Sequence, residues 1–495
     1  MKKIYLILSF VIAILVLNAC FVEDSCSKHI NIINVMLKDG EFSKSEYSSF
    51  IKMAQDKSFL ECIGMDPLIS LEDVDSEFEE FLKLKYHSNP NFMGELKLSY
   101  LEDNLAPPNF KIYIENGASM DGYIRGRTDF ESVLMDLVVQ IDNNYSENKP
   151  DLFYISPNPK PIGTKINDFV NYISELEPID WRIFGRSSET KVNNLIENVV
   201  RDIDENEVAI LISDYIYSVN GIDTEGLLNS EKYKLKNQFW KTLSKSDLST
   251  LILKFSSNFN GNYYDRNDSP TKINDKRPYY IWVFGNKNYL TDFEDKIDLT
   301  DMVGFQKKYN INKIESNQSP YLGLLLPSSS NYKISKRSKN GIIPNPTKYS
   351  SENPFEFHVI LKIDDMNIDN NYLMNENNYM INEGKYFKVK DISEFSMVSP
   401  IIDDFNFKKF RDYNPTHIMT ITSEYDIYPQ ILKIKLLDNV PEWIAESSTL
   451  DDRNIENNAN KTFGFKFLVN GIKEAYQKTS DEENIFSFDI EILNQ

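Results

Sequence analysis

Between residues 110 and 284, short apolar runs alternate with amphipathic stretches, and no other feature constrains the fold of this chain as strongly. Segments 110–114, 152–155, 208–212, 248–255 and 279–284 read as strands, while 129–141, 166–176, 192–203 and 231–243 carry apolar residues at helical spacing. Strands separated by whole helices are joined by crossovers rather than hairpins. The expected class is therefore α/β, a mainly parallel sheet flanked by helices on both faces. In such sheets ligands bind beyond the carboxyl ends of the strands, so the residues at those ends are the first candidates for function.

The first strand runs out into Glu115-Asn116-Gly117-Ala118-Ser119-Met120, with a helix after it. Gly185-Arg186-Ser187-Ser188-Glu189-Thr190 stands directly before another helix, and the strand over 208–212 continues into Ser213-Asp214. This set resembles the metal-ion-dependent adhesion motif of von Willebrand factor A domains, an Asp-x-Ser-x-Ser loop completed by a loop Thr and a later strand-end Asp. The resemblance spans about residues 108–300 and implies a von Willebrand factor A-like, Rossmann-like fold. It further implies a ligand or metal site made of Glu115, Ser119, Ser188, Thr190 and Asp214. Such a site takes Mg²⁺ or another divalent cation, and an acidic group of a partner fills the open coordination position. Two motif positions differ here. Glu115 is one methylene longer than the Asp expected, and Gly117 deletes a hydroxyl ligand. A hard cation wants about six oxygens, which Glu115, waters and the nearby Asp121 would have to make up. The alternative is a vestigial site in which Ser119 and Asp214 cap a helix and a turn.

At the N-terminus, Met1-Lys2-Lys3 precedes an apolar run over 4–17 that is too short for a comfortable membrane span. It ends in Leu17-Asn18-Ala19-Cys20, which resembles the lipobox of bacterial lipoproteins. The resemblance implies that residues 1–19 are a signal peptide and that Cys20 carries the lipid, each acyl chain contributing about 0.8 kcal/mol per buried CH₂. The expected address is the bacterial cell envelope, with the protein lipid-anchored. Glu23-Asp24 points to the outer membrane and leaves open whether the face is periplasmic or external. Cys26 and Cys62 then sit where disulfides persist, and form either a disulfide or two buried thiols.

Residues 20–105 read as a helical N-terminal segment, 106–300 as the α/β domain and 301–495 as a β-rich C-terminal domain. In the last, strands are expected over 321–326, 355–363, 386–389, 417–422, 431–437 and 485–492, with one helix over 465–476, a sandwich pattern. Arg277, before Pro278, is expected to pair with an acid across the domain, and Trp443 to pack as core rather than as a sugar platform.

Composition removes several functions. The chain carries 54 Lys+Arg against 75 Asp+Glu, net −21, with no basic run to offset it, which excludes nucleic acid as a partner. Loss of Lys2 and Lys3 with the signal takes the net charge to −23. The 28 Tyr and 31 Phe are too many for a disordered acidic chain. Gly-rich phosphate loops and a Gly-x-Ser-x-Gly elbow are missing, and the four histidines lie far apart. The function expected is an envelope protein that binds a protein or surface ligand at the strand-end face. The competing readings are an envelope hydrolase acting on glycan or other envelope material, and a structural subunit of an envelope complex.

Overall fold

The computed structural model describes residues 107–493 except 164–165, 174–175, 179, 181–190, 202, 220, 268, 315–318, 326–340, 345–353, 364–367, 382–385, 396–414, 426 and 481, together with separate positions between Cys26 and Tyr86. Strands β1 (Asn109–Glu115), β2 (Asp151–Ile155), β3 (Pro159–Gly163), β4 (Glu207–Ser213), β5 (Ser249–Tyr264), β6 (Pro270–Gly285) and β7 (Phe305–Ile311) form one sheet. Their order is β3-β2-β1-β4-β6-β5-β7. The expected parallel pairing forms the centre, β2-β1-β4. The pairings β2–β3, β4–β6, β6–β5 and β5–β7 are antiparallel; β2–β3 and β5–β6 are hairpins, while helices connect β4 to β5 and β6 to β7.

Both faces of the sheet are covered, as the apolar runs on β1 and β4 require. Helix α2 (Asp129–Asn144) starts at a capping box in which Thr128 accepts from the Glu131 amide and the Glu131 carboxylate accepts from the Thr128 amide. Its buried Phe130, Val133, Leu134, Leu137, Val138 and Ile141 follow the three-four spacing of one helical stripe. Helix α3 (Ile166–Ile173) contributes Phe169 and Ile173 to the same face. The other face takes α4 (Val192–Val200) and α5 (Thr224–Leu243). Helix α6 (Lys287–Lys296) returns to the first face through Tyr289, Leu290 and Phe293.

Beyond residue 300 the rhythm changes to strands, yet β7 still belongs to the central sheet. The strands β8 (Tyr321–Leu325), β9 (Ile342–Pro344), β10 (Phe355–Leu361), β11 (Tyr379–Ile381), β12 (Phe387–Glu394), β13 (His417–Ser423) and β14 (Gln430–Leu437) come next. After them lie a short helix α7 (Glu442–Glu446), β15 (Ser448–Thr449), β16 (Thr462–Phe463), helix α8 (Phe465–Thr479) and β17 (Asn484–Leu493). Two four-stranded sheets, β12-β13-β10-β8 and β11-β14-β17-β9, share one apolar core, which is the sandwich expected from the sequence. Helix α8 leaves the sandwich and packs on α5 and the central sheet. Gly464 precedes it at φ 74°, where a Cβ would lie 2.6 Å from the Tyr217 ring. Phe465 stacks on Tyr280 at 4.0 Å, and the Tyr476 hydroxyl meets Thr250 at 2.9 Å. The helix thus ties the C-terminal third to the α/β sheet.

At the N-terminus, Ile33, Leu37, Phe50, Phe59 and Phe78 form a separate apolar cluster that includes helix α1 (Lys57–Ile63). Cys26 and Cys62 are joined in a disulfide. Among the described residues, no helix is long and apolar enough to cross a membrane.

Candidate functional site

The strand order, and not the strand direction, reverses between the parallel β1 and β4, since β1 is followed by β2 on one side and β4 lies on the other. The crevice beyond their carboxyl ends is the topological switch point. Glu115 ends β1 and Asp214 follows β4, so the structure brings together there three of the residues expected: Glu115, Asp214 and Ser119, the last in a 3-10 turn over Ala118–Ile124. Ser188 and Thr190 lie outside the described residues, as does Cys20.

The cluster is buried and internally bonded. Ser213 donates its hydroxyl to Glu115 Oε2 at 2.5 Å, and the Tyr215 amide donates to Ser213 Oγ at 2.9 Å. Ser119 hydrogen-bonds the Asp214 carboxyl, whose Oδ1 accepts from the Ile216 amide at 3.2 Å. Tyr215 adopts a φ of 53°, a left-handed conformation unusual for a bulky side chain. Stacking on Trp282 at 4.4 Å and a bond from its hydroxyl to Leu211 O hold it there. Burial first, and the charge of Asp214 second, push the Glu115 carboxyl up to about 8. Burial likewise raises Asp214, against the pull of Ser119, the Ile216 amide and the Arg277 guanidinium. Arg277 is 1% exposed. No ion pair joins it to an acid among the described residues; its charge reaches Asp214 only at longer range, and its Nη2 is buried without a hydrogen-bond partner.

What seals the crevice is an extension of β5 and β6 well beyond the strands expected over 248–255 and 279–284. Strand β6 pairs with β4 only as far as Tyr280 opposite Ser213, while β5 and β6 continue pairing to Tyr264 opposite Pro270. The outer half of this hairpin, residues 256–264 with 270–278, is an arm that runs past the carboxyl ends of β1 and β4. The 3-10 turn packs against it through Gly122, where a Cβ would stand 2.4 Å from the Phe259 ring, and Tyr123 donates to Pro278 O at 2.5 Å. Residues after β15 also engage the arm. Tyr263 donates to Asp452 Oδ2 at 2.7 Å, and Arg277 Nη1 to Ala459 O at 3.4 Å. Arg277 lies over the Tyr263 ring at 4.4 Å, a desolvated cation–π contact.

The described donor set fits a hard divalent cation poorly. It offers two carboxylates and one hydroxyl, and among the described residues no group of three or more His, Cys, Asp and Glu side chains is arranged to hold a metal ion. The two departures from the adhesion motif are coupled. The longer Glu115 side chain folds back so that its Oε1 would lie 2.7 Å from a Cβ on residue 117. The carboxylate thus occupies space that a serine would need, and Arg277 already supplies positive charge to Asp214.

A second feature lies at the other edge of the sheet. A cleft of about 1110 Å³ runs between β7 and the turns of the sandwich, lined among others by Lys307, Tyr309, Asp438 and Trp443. Trp443 is half-buried against Phe465, partly as core and partly as cleft wall. Domain junctions of this kind are common places for ligand pockets. No family model, no curated protein and no solved structure matches this chain.

Proposed function

We propose that this chain is a lipid-anchored protein of the bacterial cell envelope that works by binding a protein or surface ligand. The observation that carries this reading is the sealed crevice. In an α/β protein that acts on a small molecule, the switch point is where reactive groups meet the ligand. Here Glu115 and Asp214 are hydrogen-bonded by Ser213 and Ser119 under the arm, while a cleft lies open beside β7. The von Willebrand factor A-like identity belongs to the same reading, supported by the meeting of Glu115, Ser119 and Asp214 at the strand ends. On this reading the site is a degenerate one, and ligand binding proceeds without a divalent cation.

The anchor rests on Leu17-Asn18-Ala19-Cys20, and the Cys26–Cys62 disulfide suits an oxidising compartment. The test is acyl labelling and detergent partition of the full-length chain in a bacterial host, combined with crosslinking in intact envelopes. The expected result is a labelled, membrane-partitioned chain that becomes unlabelled in Cys20→Ser and that forms one discrete crosslinked complex. Label retained in Cys20→Ser removes the anchor, and absence of any complex removes the binding function.

A further inference from the structure

The lining of the cleft beside β7 is balanced in charge. Five lysines stand in it with five Asp and Glu residues, although the chain as a whole is at −21. Some of these charges are satisfied within the protein, since Lys473 pairs with Asp438 and Lys308 with Glu294 at 2.9 Å. A ligand of either sign would meet repelling groups along with attracting ones. The balance therefore selects an uncharged occupant.

The remaining polar lining is dominated by side-chain amides. Eight of the thirty lining residues are asparagine, against 52 of 495 in the whole chain, so compositional bias does not account for them. Each amide carries donor hydrogens and an acceptor oxygen. The segment between β10 and β11 holds several of them in place. Asn375 Oδ1 accepts from the Asn377 amide at 3.1 Å, and Asn378 Nδ2 donates to Tyr372 O at 2.8 Å. Asn370 Nδ2 donates to Glu394 Oε1 at 2.6 Å, and its Oδ1 meets His417 Nε2 at 2.9 Å. Amides fixed in this way are preorganised for a ligand, and the Asn375 amide donors and the Asn378 oxygen keep capacity for one.

The third component is aromatic. Trp443 packs on Phe465 with ring centroids 6.4 Å apart and also lines the cleft, so its indole is anchored by the core while bordering the open space. The face of an aromatic ring is apolar and electron-rich, and attracts the polarised C–H groups of a ligand. A sugar ring matches all three components. It is uncharged, each of its hydroxyls both donates and accepts, and one of its faces is a patch of C–H bonds. A peptide segment matches them less well, because its main chain pairs with a strand edge and not with a cluster of side-chain amides.

We propose that the cleft binds a neutral oligosaccharide, with one sugar ring against Trp443 and hydroxyls of the chain bonded to the amides of Asn375 and Asn378. A cleft of about 1110 Å³ lies at the upper end of ordinary ligand pockets, about 300–1,000 Å³, which suits several linked rings better than one. The proposal rests on the reading of the chain as a binding protein and names its ligand's chemistry.

The probe is an array of neutral, anionic and cationic oligosaccharides printed beside random peptides and screened with the full-length chain. The expected result is retention on neutral glycans. Calorimetric titration with the best neutral member should give the same affinity at low and high salt, because no charge is engaged. Trp443→Ala should weaken it about tenfold, or about 1.4 kcal/mol. Asn375→Asp keeps an acceptor for the Asn377 amide and deletes only the amide donors, so it tests the site even where the tryptophan variant fails to fold. It should weaken binding about threefold, with circular dichroism melts verifying both folds. Unchanged affinity in Asn375→Asp and in a folded Trp443→Ala chain overturns the proposal, as does retention on charged glycans alone with an affinity that falls in salt. Retention on peptides and on no glycan overturns it while leaving the binding function standing. An array that retains nothing does the same where the chain still forms its crosslinked complex in intact envelopes, and removes both readings where it does not.

Discussion

Ser213, the last residue of β4, donates its hydroxyl to Glu115, the last residue of β1, across 2.5 Å. The bond links the two central strands at the point where an open α/β sheet would present them to a ligand. It also holds the Glu115 carboxyl inward, over Gly117 and away from solvent. Glu115 is 5% exposed and Asp214 3%, so the pair behaves as part of the core.

The first consequence is a pH dependence of stability. An acid whose value rises from 4.5 in the unfolded chain to about 8 in the folded one binds protons more tightly when folded. Stability then falls as pH rises across that window and is level on either side. Glu131, pushed by burial to about 7, acts in the same direction. Urea midpoints should be highest near the lower end of the window and decline through its upper end. Glu115→Gln, which keeps an oxygen for Ser213, should flatten the slope and stabilise the chain by about 1–3 kcal/mol above the window. A midpoint that climbs with pH, or a slope unchanged in Glu115→Gln, contradicts the assignment.

Arg277 and Asp214 should be coupled energetically. They form no direct ion pair, but the Arg277 charge draws the Asp214 carboxyl down, and removing a buried charge that another depends on costs up to about 3–5 kcal/mol. Arg277→Met is expected to fall in that range. Asp214→Asn in the same chain should recover more than half of the loss, because it removes the stranded charge. Urea unfolding of the two single variants and the double variant gives the coupling directly. Additive losses would mean that Arg277 acts through its rings, Tyr263 and Phe259, and not through Asp214.

The arm closes because two glycines let it. A Cβ on Gly122 would meet the Phe259 ring at 2.4 Å, and one on Gly261 would meet Gly122 Cα at 2.6 Å. Gly122→Ala should therefore cost about 1–3 kcal/mol through overpacking and expose the arm to protease between residues 258 and 276. Phe259→Ala in the Gly122→Ala chain should restore part of the lost protection. An alanine chain with unchanged melting and cleavage would show that the turn and arm do not depend on this contact.

Calorimetric titration of the mature chain with Mg²⁺, Mn²⁺ and Ca²⁺ is expected to give no binding heat and no thermal shift. Glu115→Asp with Gly117→Ser clears the space now taken by the longer carboxylate and adds a hydroxyl oxygen, so that double variant should acquire binding heat. Heat from the unaltered chain that disappears in Asp214→Ala would instead identify an occupied cation site.

Much of the fold was legible locally. The strands over 110–114, 152–155 and 208–212 and the helix over 129–141 differ from the observed elements by at most three residues at an end, because burial on one stripe or on both strand faces leaves a plain periodic mark. The arm was harder. Ser257, Phe259, Gly261 and Tyr263 are buried while Asn258, Asn260, Asn262 and Tyr264 face solvent or lie near it, a period of two that its Asn and Gly content disguised as a loop. β7, with Gln306, Lys307 and Lys308 in its first half, lacks any apolar alternation there, as an edge strand often does.

Sequence alone determined that the chain alternates strand and helix before a β-rich end, and that Glu115 and Asp214 stand at strand ends. Those properties follow from local periodicity. Tertiary structure alone decided that the strand-end crevice is sealed and that a cleft lies open along β7. Both depend on how far β5 and β6 run past β4 and on close contacts between residues more than a hundred positions apart, such as Gly122 with Phe259. No local pattern encodes those distances, because the same alternation of residues folds equally well with a short hairpin or a long one.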